Sequence, residues 1–526
     1  MRFPILKGAA VLTVAALQIA IVPTVYCQTV DRSESSKPLG HVAMLEKASA
    51  GRQHYVSTSG SATGDGSIDH PWDLQTGLSQ SPAIHPGDNI WIRGGTYGSG
   101  RDIFRSNLMG TAAAPIVVRQ YPGERAIING WLQVGCCDQD PQPNGGAYVW
   151  FWGLEFASSI MDRTGSPAGP PNYGESAVLD SVDTWAPGSK FINNVIHDTR
   201  MGISMWTEAT DAEAYGNIIY NNGFQASDRG HGHGFYVQNN TGTKYITDNI
   251  IFNQFDNGIQ AYGSDNAQVR NITLEGNIVF NNGAISGSPA DNVVFAGGGG
   301  VSGARLINNY LFHAPMTNLG YNELGWGGVN ADLTAQGNYF MGGFQSVAMG
   351  NWQSVKFQNN QIYSHGKYDM VLSTSNSTAG YAWDGNTYYG SGMFLVNDSG
   401  TSFEGWKSKT HVDASSTFRS GDPTGTWIFV RPNKYEQGRA NIVIYNWTLA
   451  DSVAVDLSGV LRPGRRYEIR DAQNFLAGPR VTGTFDGSPV RISMTGLSVA
   501  MPNGFVPVPP HSTAPQFGTF VVIALP

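Results

Sequence analysis

The densest run of polar and ionisable side chains in the sequence is Asp228-Arg229-Gly230-His231-Gly232-His233-Gly234, which leads directly into Phe235-Tyr236-Val237-Gln238. Histidines at i and i+2 of an extended chain lie on one face, which suits one metal ion or a proton-transfer pair. Only two histidines lie here, short of the set a zinc site needs, so proton transfer is the chemistry carried forward. The glycines let a ligand approach the backbone closely, or else form a tight turn. Aligning Gly234-Phe235-Tyr236-Val237-Gln238 with Gly202-Ile203-Ser204-Met205-Trp206 and Gly258-Ile259-Gln260-Ala261-Tyr262 puts Arg200 and Asp256 at equivalent positions on either side of the histidines. Arg200 can hold a carboxylate bidentately, and Asp256 can orient a histidine or bind calcium. The plainer alternative is that the two pair with each other. Glu208, Asp211 and Glu213, in the loop after Trp206, read as groove wall.

The elements that carry these residues repeat. Asn194, Asn217, Asn249, Asn277, Asn309, Asn338, Asn360 and Asn386 recur at intervals of 22 to 32, each followed two residues later by an apolar or aromatic side chain, from Ile196 to Tyr388. One position further, six of the eight residues from His197 to Tyr389 are aromatic. No repeat holds a helix-length amphipathic run. Short strands with Gly and Asn corners at this period predict a parallel β-solenoid with one coil per repeat. Asn suits the corners because it tolerates left-handed backbone and can bond to the Asn of the next coil. In the three aligned strands, alternation turns Ile203, Phe235 and Ile259 inward and Ser204, Trp206, Tyr236, Gln238, Gln260 and Tyr262 outward. That outer line suits a sugar chain.

Composition agrees with such an array and excludes some partners. Of 526 residues only 14% are charged, and 27 of the 38 asparagines fall between Asn193 and Asn386, so neutral polar groups carry the solubility. A formal charge of -8 without a basic cluster argues against nucleic acid. Arg2 and Lys7 precede an apolar run from Ala9 to Val22 that is too short to span a bilayer, and this reads as a signal peptide over residues 1–28. The expected product is exported, soluble and monomeric, with no membrane span. From Arg439 onward alternating apolar residues with Gly and Pro turns predict a β-sandwich. The expected organisation is therefore a solenoid over 52–400, a connecting segment over 401–434 and a sandwich over 435–526 that caps the last coil.

The stretch from Tyr55 through His70-Pro71-Trp72, with HPGDNIWIRGGTY ending at Tyr97 and GTAAAPIVVRQYPGERAIING ending at Gly130, resembles the opening of secreted right-handed parallel β-helix proteins of the pectate-lyase-like superfamily. Together with the repeats the resemblance covers roughly residues 52 to 400. It implies an all-β right-handed parallel β-helix with a C-terminal β-sandwich. It leaves the chemistry open among lyases, hydrolases, epimerases, esterases and tailspikes. Gly230-His231-Gly232 echoes one hydrolase motif without that motif's paired aspartates. The favoured expectation is a lyase acting on a uronic-acid polysaccharide. Arg200 would neutralise the substrate carboxylate, His231 or His233 would take the C5 proton, and Tyr236 would protonate the leaving oxygen. Trp206, Gln238, Gln260, Tyr262, Asp228 and Arg229 would bind sugar. The alternatives are a glycoside hydrolase using Asp228 and Asp256, or a glycan-binding surface without catalysis. No transition metal is required on this reading. Calcium, which many such β-helix lyases use, stays open with Asp256 as ligand.

Overall fold

The structure, a computed structural model, describes residues 26–27, 51–135, 145–167, 176–315 and 320–526. The leader expected over 1–28 lies outside these residues apart from Tyr26–Cys27, a two-residue strand parallel to Trp427–Ile428. From Gln53–Val56 the chain winds into a right-handed β-helix with three strand faces. The first face is a sheet of 12 parallel strands, from Gln53–Val56 to Ala382–Asp384. The long strands Gly95–Ser106 and Ala126–Val134 begin both other faces; the second continues through Glu155–Ala157 and Val195–His197 to Thr417–Ser420, and the third through Val182–Thr184 and Ile203–Met205 to Phe394–Val396. The short helix Leu74–Leu78 buries Leu74 and Leu78 in the core beside the first coil. Ile196, Ile219, Ile251, Val279, Leu311, Phe340, Ile362 and Tyr388, the residues two beyond each anchor, are all fully buried.

The anchors form a continuous ladder. Asn194 Nδ2 donates to Asn217 Oδ1 at 3.0 Å, Asn217 to Asn249 at 2.8 Å, and so on through Asn277, Asn309, Asn338 and Asn360 to Asn386. Each anchor's second amide proton goes to a backbone carbonyl one coil back, as from Asn249 to Ala214 at 2.9 Å. The left-handed backbone at this corner belongs to the residue before the anchor, as at Asn193, Asp248, Asn308 and Asn359. The anchors thus serve the amide ladder and not the left-handed turn. The ladder ends where Asn386 Nδ2 donates to Asp413 Oδ1 at 3.0 Å and Asn386 N–H to Ser416 Oγ at 2.8 Å. The last coil therefore closes without an asparagine.

This ending moves both expected boundaries. Residues 401–434 are not a connector: they hold the helix Phe403–Thr410, the last coil strand Thr417–Ser420 and the first sandwich strand Thr426–Pro432. Helix Phe403–Thr410 caps the core, with Phe403 and Trp406 packed against Phe394. The sandwich, expected over the open end, lies along the side of the solenoid. The reason is the aromatic file on the outer surface of the second face. His197, Tyr220, Phe252 and Phe280 stack in sequence at 5.0, 5.2 and 4.9 Å, and Phe517 of the sandwich stacks on Phe312 at 4.6 Å. Phe429, Val443, Tyr445 and Val521 complete this second core. Such a file is too apolar to face water. Polar contacts fix the docking. Arg431 pairs with the buried Asp248, Asn433 donates to Asn193 at 2.8 Å, and Lys190, Lys434 and Tyr435 converge on Glu213. Glu213, expected on a groove wall, instead starts the first-face strand Glu213–Tyr215 beneath the sandwich. Its burial disfavours charge, but the two lysines outweigh this and hold its pKa down to about 2.

Two outcomes are expected. A chain ending after Thr424 keeps the capping helix but bares the aromatic file, so it should aggregate in size-exclusion chromatography. A monomeric fragment as heat-stable as the whole chain would mean the sandwich contributes nothing to the solenoid. Burial also opposes protonation of His197, but hydrogen bonds to Asp198 and Glu155 prevail and raise its pKa to about 9. Because this exceeds the ordinary 6.5, the stabilisation is complete below pH 6.5 and is lost as pH rises through about 9. Thermal unfolding across pH 6 to 10 should show this loss in the native chain and a smaller one in His197→Gln (roughly these limits bracket the titration).

Candidate active site

The third face brings the site together. The register aligns Asp183, Ser204, Tyr236 and Gln260 side by side on consecutive coils, all outward, with Ile203, Phe235 and Ile259 inward. Just before these strands, a second ladder holds the corner. Asn222 Oδ1 accepts from Thr199 N–H at 3.0 Å, Gln254 Oε1 from Asn222 N–H at 3.1 Å, and Asn282 Oδ1 from Gln254 N–H at 3.2 Å. It fixes the backbone next to Arg200, Phe224 and Asp256. The chain between Asn222 and Phe235 leaves the coil as a hairpin, with Phe224–Gln225 antiparallel to Gly230–His231. This excursion carries Asp228, Arg229, His231 and His233 over the strand face. At Gly232, φ is +96° and a Cβ would lie 2.2 Å from the Arg200 carbonyl oxygen, so only glycine fits where the hairpin folds back.

One cleft results. Among its lining residues are Arg200, Trp206, Arg229, His231, His233, Tyr236, Asp256 and Gln260, joined by Asp180, Ser204 and Phe224. Gln238 lies behind this wall and donates from Nε2 to the Tyr236 hydroxyl at 3.2 Å. Asp228 sits on the exposed hairpin tip, and the half-buried Tyr262 lies one coil beyond the Gln238 position, outside the cleft lining. The expected open line of Tyr, Trp and Gln is largely closed. Trp206 tilts onto Tyr236 at 5.6 Å, and Tyr236 and Gln238 are buried.

Charge pairing also departs from expectation. Arg200 does not meet Asp256. Its Nε and Nη2 donate to Asp180 at 2.8 and 2.6 Å, whereas Asp256 is paired with Arg229. Arg229 keeps 46% of its side chain exposed, against 30% for Arg200, and so is the guanidinium better able to meet a substrate carboxylate. Burial raises the Asp256 pKa to about 6 despite the pull of Arg229. Calcium needs roughly six to eight oxygen ligands. Here the candidate carboxylate is occupied by a cation, and among the described residues no group of three or more His, Cys, Asp or Glu could hold a metal. Asp256, held by Arg229, is thus not free as the expected calcium ligand.

The two histidines differ. His231 Nε2–H donates to Asp228 Oδ1 at 2.9 Å, and the ring stacks on Phe224 at 5.1 Å. With the proton on Nε2, Nδ1 keeps its lone pair, as in a His–carboxylate dyad. His233 Nδ1 accepts from Asn257 N–H at 3.3 Å, and burial, reinforced by the charges of Arg229 and His231, lowers its pKa to about 3. That ring is neutral, carries its proton on Nε2 and is a poor base.

Sequence reasoning missed several participants. Asp180 and Asp183 precede the aligned repeats, yet Val182-Asp183-Thr184-Trp185 follows the same pattern as Ile203-Ser204-Met205-Trp206, and Trp185 stacks on Trp206 at 5.9 Å. Burial and the neighbouring Asp180 raise the Asp183 carboxyl well above its usual range. Lys244 gave no signal at all. Its buried ammonium donates to the carbonyls of Met205, Trp206 and Gln238, and burial lowers its pKa to about 7. It ties the ends of two site strands together.

Residues 54–323 match the family model described as the Pel9A-like, right-handed beta helix region. Pectate lyase PEL9 of Emericella nidulans is 43% identical over 77 residues, which cover 14% of this chain and 18% of that relative. The chain thus spans under a fifth of the curated relative it matches. Among solved structures it is similar to pectate lyase Pel9A, at 15% identity over 64% of this chain and 79% of that one, with a TM-score of 0.37. It is also similar to the GH136 lacto-N-biosidase of Eubacterium ramulus, at 13% identity over 72% and 68% of the two chains, with a TM-score of 0.38.

If the dyad is the working base, His231→Ala should lower turnover by about 10² or more, and His233→Ala by less, with circular dichroism unchanged in both. Turnover that collapses in His233→Ala while His231→Ala stays active would reverse the assignment.

Proposed function

We propose, on the premise that the chain belongs to the Pel9A-like right-handed β-helix family, that it is a polysaccharide lyase cleaving a uronic-acid-containing polymer by β-elimination. The observation that supports this most is the gathering of two arginines, His231 and Tyr236 in one cleft, with Asp228 on the hairpin tip bonded to His231. β-Elimination requires those three functions and no attacking water.

In the proposed reaction Arg229 meets the substrate carboxylate and offsets the charge that builds on it as C5 loses its proton. His231 takes that proton at Nδ1, steadied by Asp228. The freed electron pair forms the C4–C5 double bond, the C4–O bond breaks, and the Tyr236 hydroxyl gives its proton to the leaving oxygen. Arg200, held by Asp180, forms part of the cleft wall, and the neutral His233 supplies a hydrogen-bond donor. Gln260, whose Oε1 accepts from Asn257 Nδ2 at 2.6 Å, offers its amide N–H to a sugar hydroxyl on this reading. Carboxylate neutralisation is assigned to Arg229, without calcium or any other metal. No helix among the described residues is long and apolar enough to cross a membrane. Arg2 and Lys7 followed by the apolar run from Ala9 to Val22 support an exported enzyme that meets its polymer outside the cytoplasm.

A panel of acidic polysaccharides tests the reading. Ultraviolet-absorbing unsaturated ends should form in the presence of a chelator and disappear in Arg229→Ala, by about 10²-fold in kcat/KM if the charge is needed in the transition state. Reducing ends without unsaturation would make the protein a hydrolase. Loss on chelation with recovery on calcium would return the carboxylate to a metal ion.

A further inference from the structure

The outward line of the third face continues past the cleft. From Tyr236 the register runs to Gln260, Val294 and Glu323, and a parallel line runs from Tyr262 to Ala296 and Trp326. Trp326 is 57% exposed, and no aromatic ring among the described residues packs against it. On the second face the outward rings are covered by the sandwich, and on the third Trp206 and Tyr236 cover one another. Trp326 stands instead in a shallow hollow lined by Glu323, Ala348, Asn351, Val371 and Ser373. Its floor is glycine because the coils approach too closely for side chains: a Cβ on Gly325 would lie 2.4 Å from the Trp352 indole nitrogen, and one on Gly350 would lie 2.0 Å from the Gly325 carbonyl oxygen. Asn351 is fixed beside the ring, accepting from Thr374 Oγ1 at 3.0 Å and donating to Ser375 Oγ at 3.1 Å.

We propose that Trp326 is the stacking platform of a second sugar subsite, three coil spacings or about 14 Å along the solenoid axis from the coil of Tyr236, that takes an uncharged pyranose unit of the same polymer chain. The proposal rests on the reading that a polysaccharide lies along this face. A flat indole over a bare floor matches the C–H face of a pyranose ring, with Asn351 at its rim for hydroxyls. Charge separates the two subsites. In the cleft Asp180 and Asp256 balance Arg200 and Arg229, and the Arg229 side chain stays 46% exposed to meet a carboxylate, whereas the only ionisable group lining the hollow is Glu323, which repels a uronate. A polymer that fits both subsites carries free carboxylates at some units and none at others.

The test uses the full chain, Trp326→Ala and Trp326→Phe, with polygalacturonate in its de-esterified and partly methyl-esterified forms. In gels containing each polymer, and in KM where it is cleaved, Trp326→Ala should bind the partly esterified form about 5-fold more weakly, the effect of one lost ring contact, and Trp326→Phe should stay within about twofold of the native chain. Equal retardation and KM in Trp326→Ala would overturn the subsite while leaving the lyase reading intact. An equal loss on the de-esterified polymer would overturn the preference for an uncharged unit. A native chain that is neither retarded by nor active on any acidic polysaccharide overturns the reading itself, and the subsite with it.

Discussion

The amide ladder from Asn194 to Asn386 is the constraint on which the rest depends. A buried side-chain amide left unpaired costs on the order of 1–3 kcal/mol, so the ladder is stable only if the coils stack in one register. Eight anchors, each bonded to the next coil and to the carbonyl of the coil behind, leave little freedom to slip by one residue. A slip would turn every inward side chain outward. The outward positions of Ser204, Tyr236 and Gln260, and hence the cleft, follow from that register.

The corner also explains how chemistry is added without disturbing the coil. Between Asn222 and Phe235 the chain leaves the solenoid and returns, and the second ladder through Asn222, Gln254 and Asn282 holds the points of exit and re-entry. Asp228, Arg229, His231 and His233 sit on that excursion. What it must face, Tyr236 and Gln260, sits on the rigid strands. The sandwich leaves this face alone because its own apolar surface is matched to the aromatic file on the second face.

The repeat was legible because it is written locally: an asparagine, an apolar residue two later and an aromatic one after that. The inward and outward sides of the third face were legible for the same reason, as was the clustering of Arg200, His231, His233, Tyr236 and Asp256. Pairing was not. Arg200 with Asp180, and Asp256 with Arg229, depend on which carboxylate lies within reach once the hairpin folds back, and alignment by strand position carries no such information. The difference between His231 and His233, both buried, arises from their partners, the Asp228 carboxylate for one and the backbone N–H of Asn257 for the other. Lys244 is a lysine on a first-face strand, and only the fold shows that its long side chain passes beneath Trp206. The final boundary was missed because the last rung uses Asp413 and Ser416 where a repeat search looks for asparagine.

Asp413 gives the ladder a direction and an end. Every asparagine both gives and receives a proton along the stack, so each rung offers the next an identical half-bond, and nothing in an asparagine says where to stop. A carboxylate can only receive. At Asp413 four donors converge, from Asn386, Ser416, Tyr388 and Trp406, and nothing is handed on. In the vocabulary of polymers the asparagines are bifunctional monomers and Asp413 is the chain terminator. Coils can then be gained or lost upstream as whole units over evolutionary time, each insertion joining two matching ends, while the terminator and its helix keep the stack from recruiting a second molecule at its open edge.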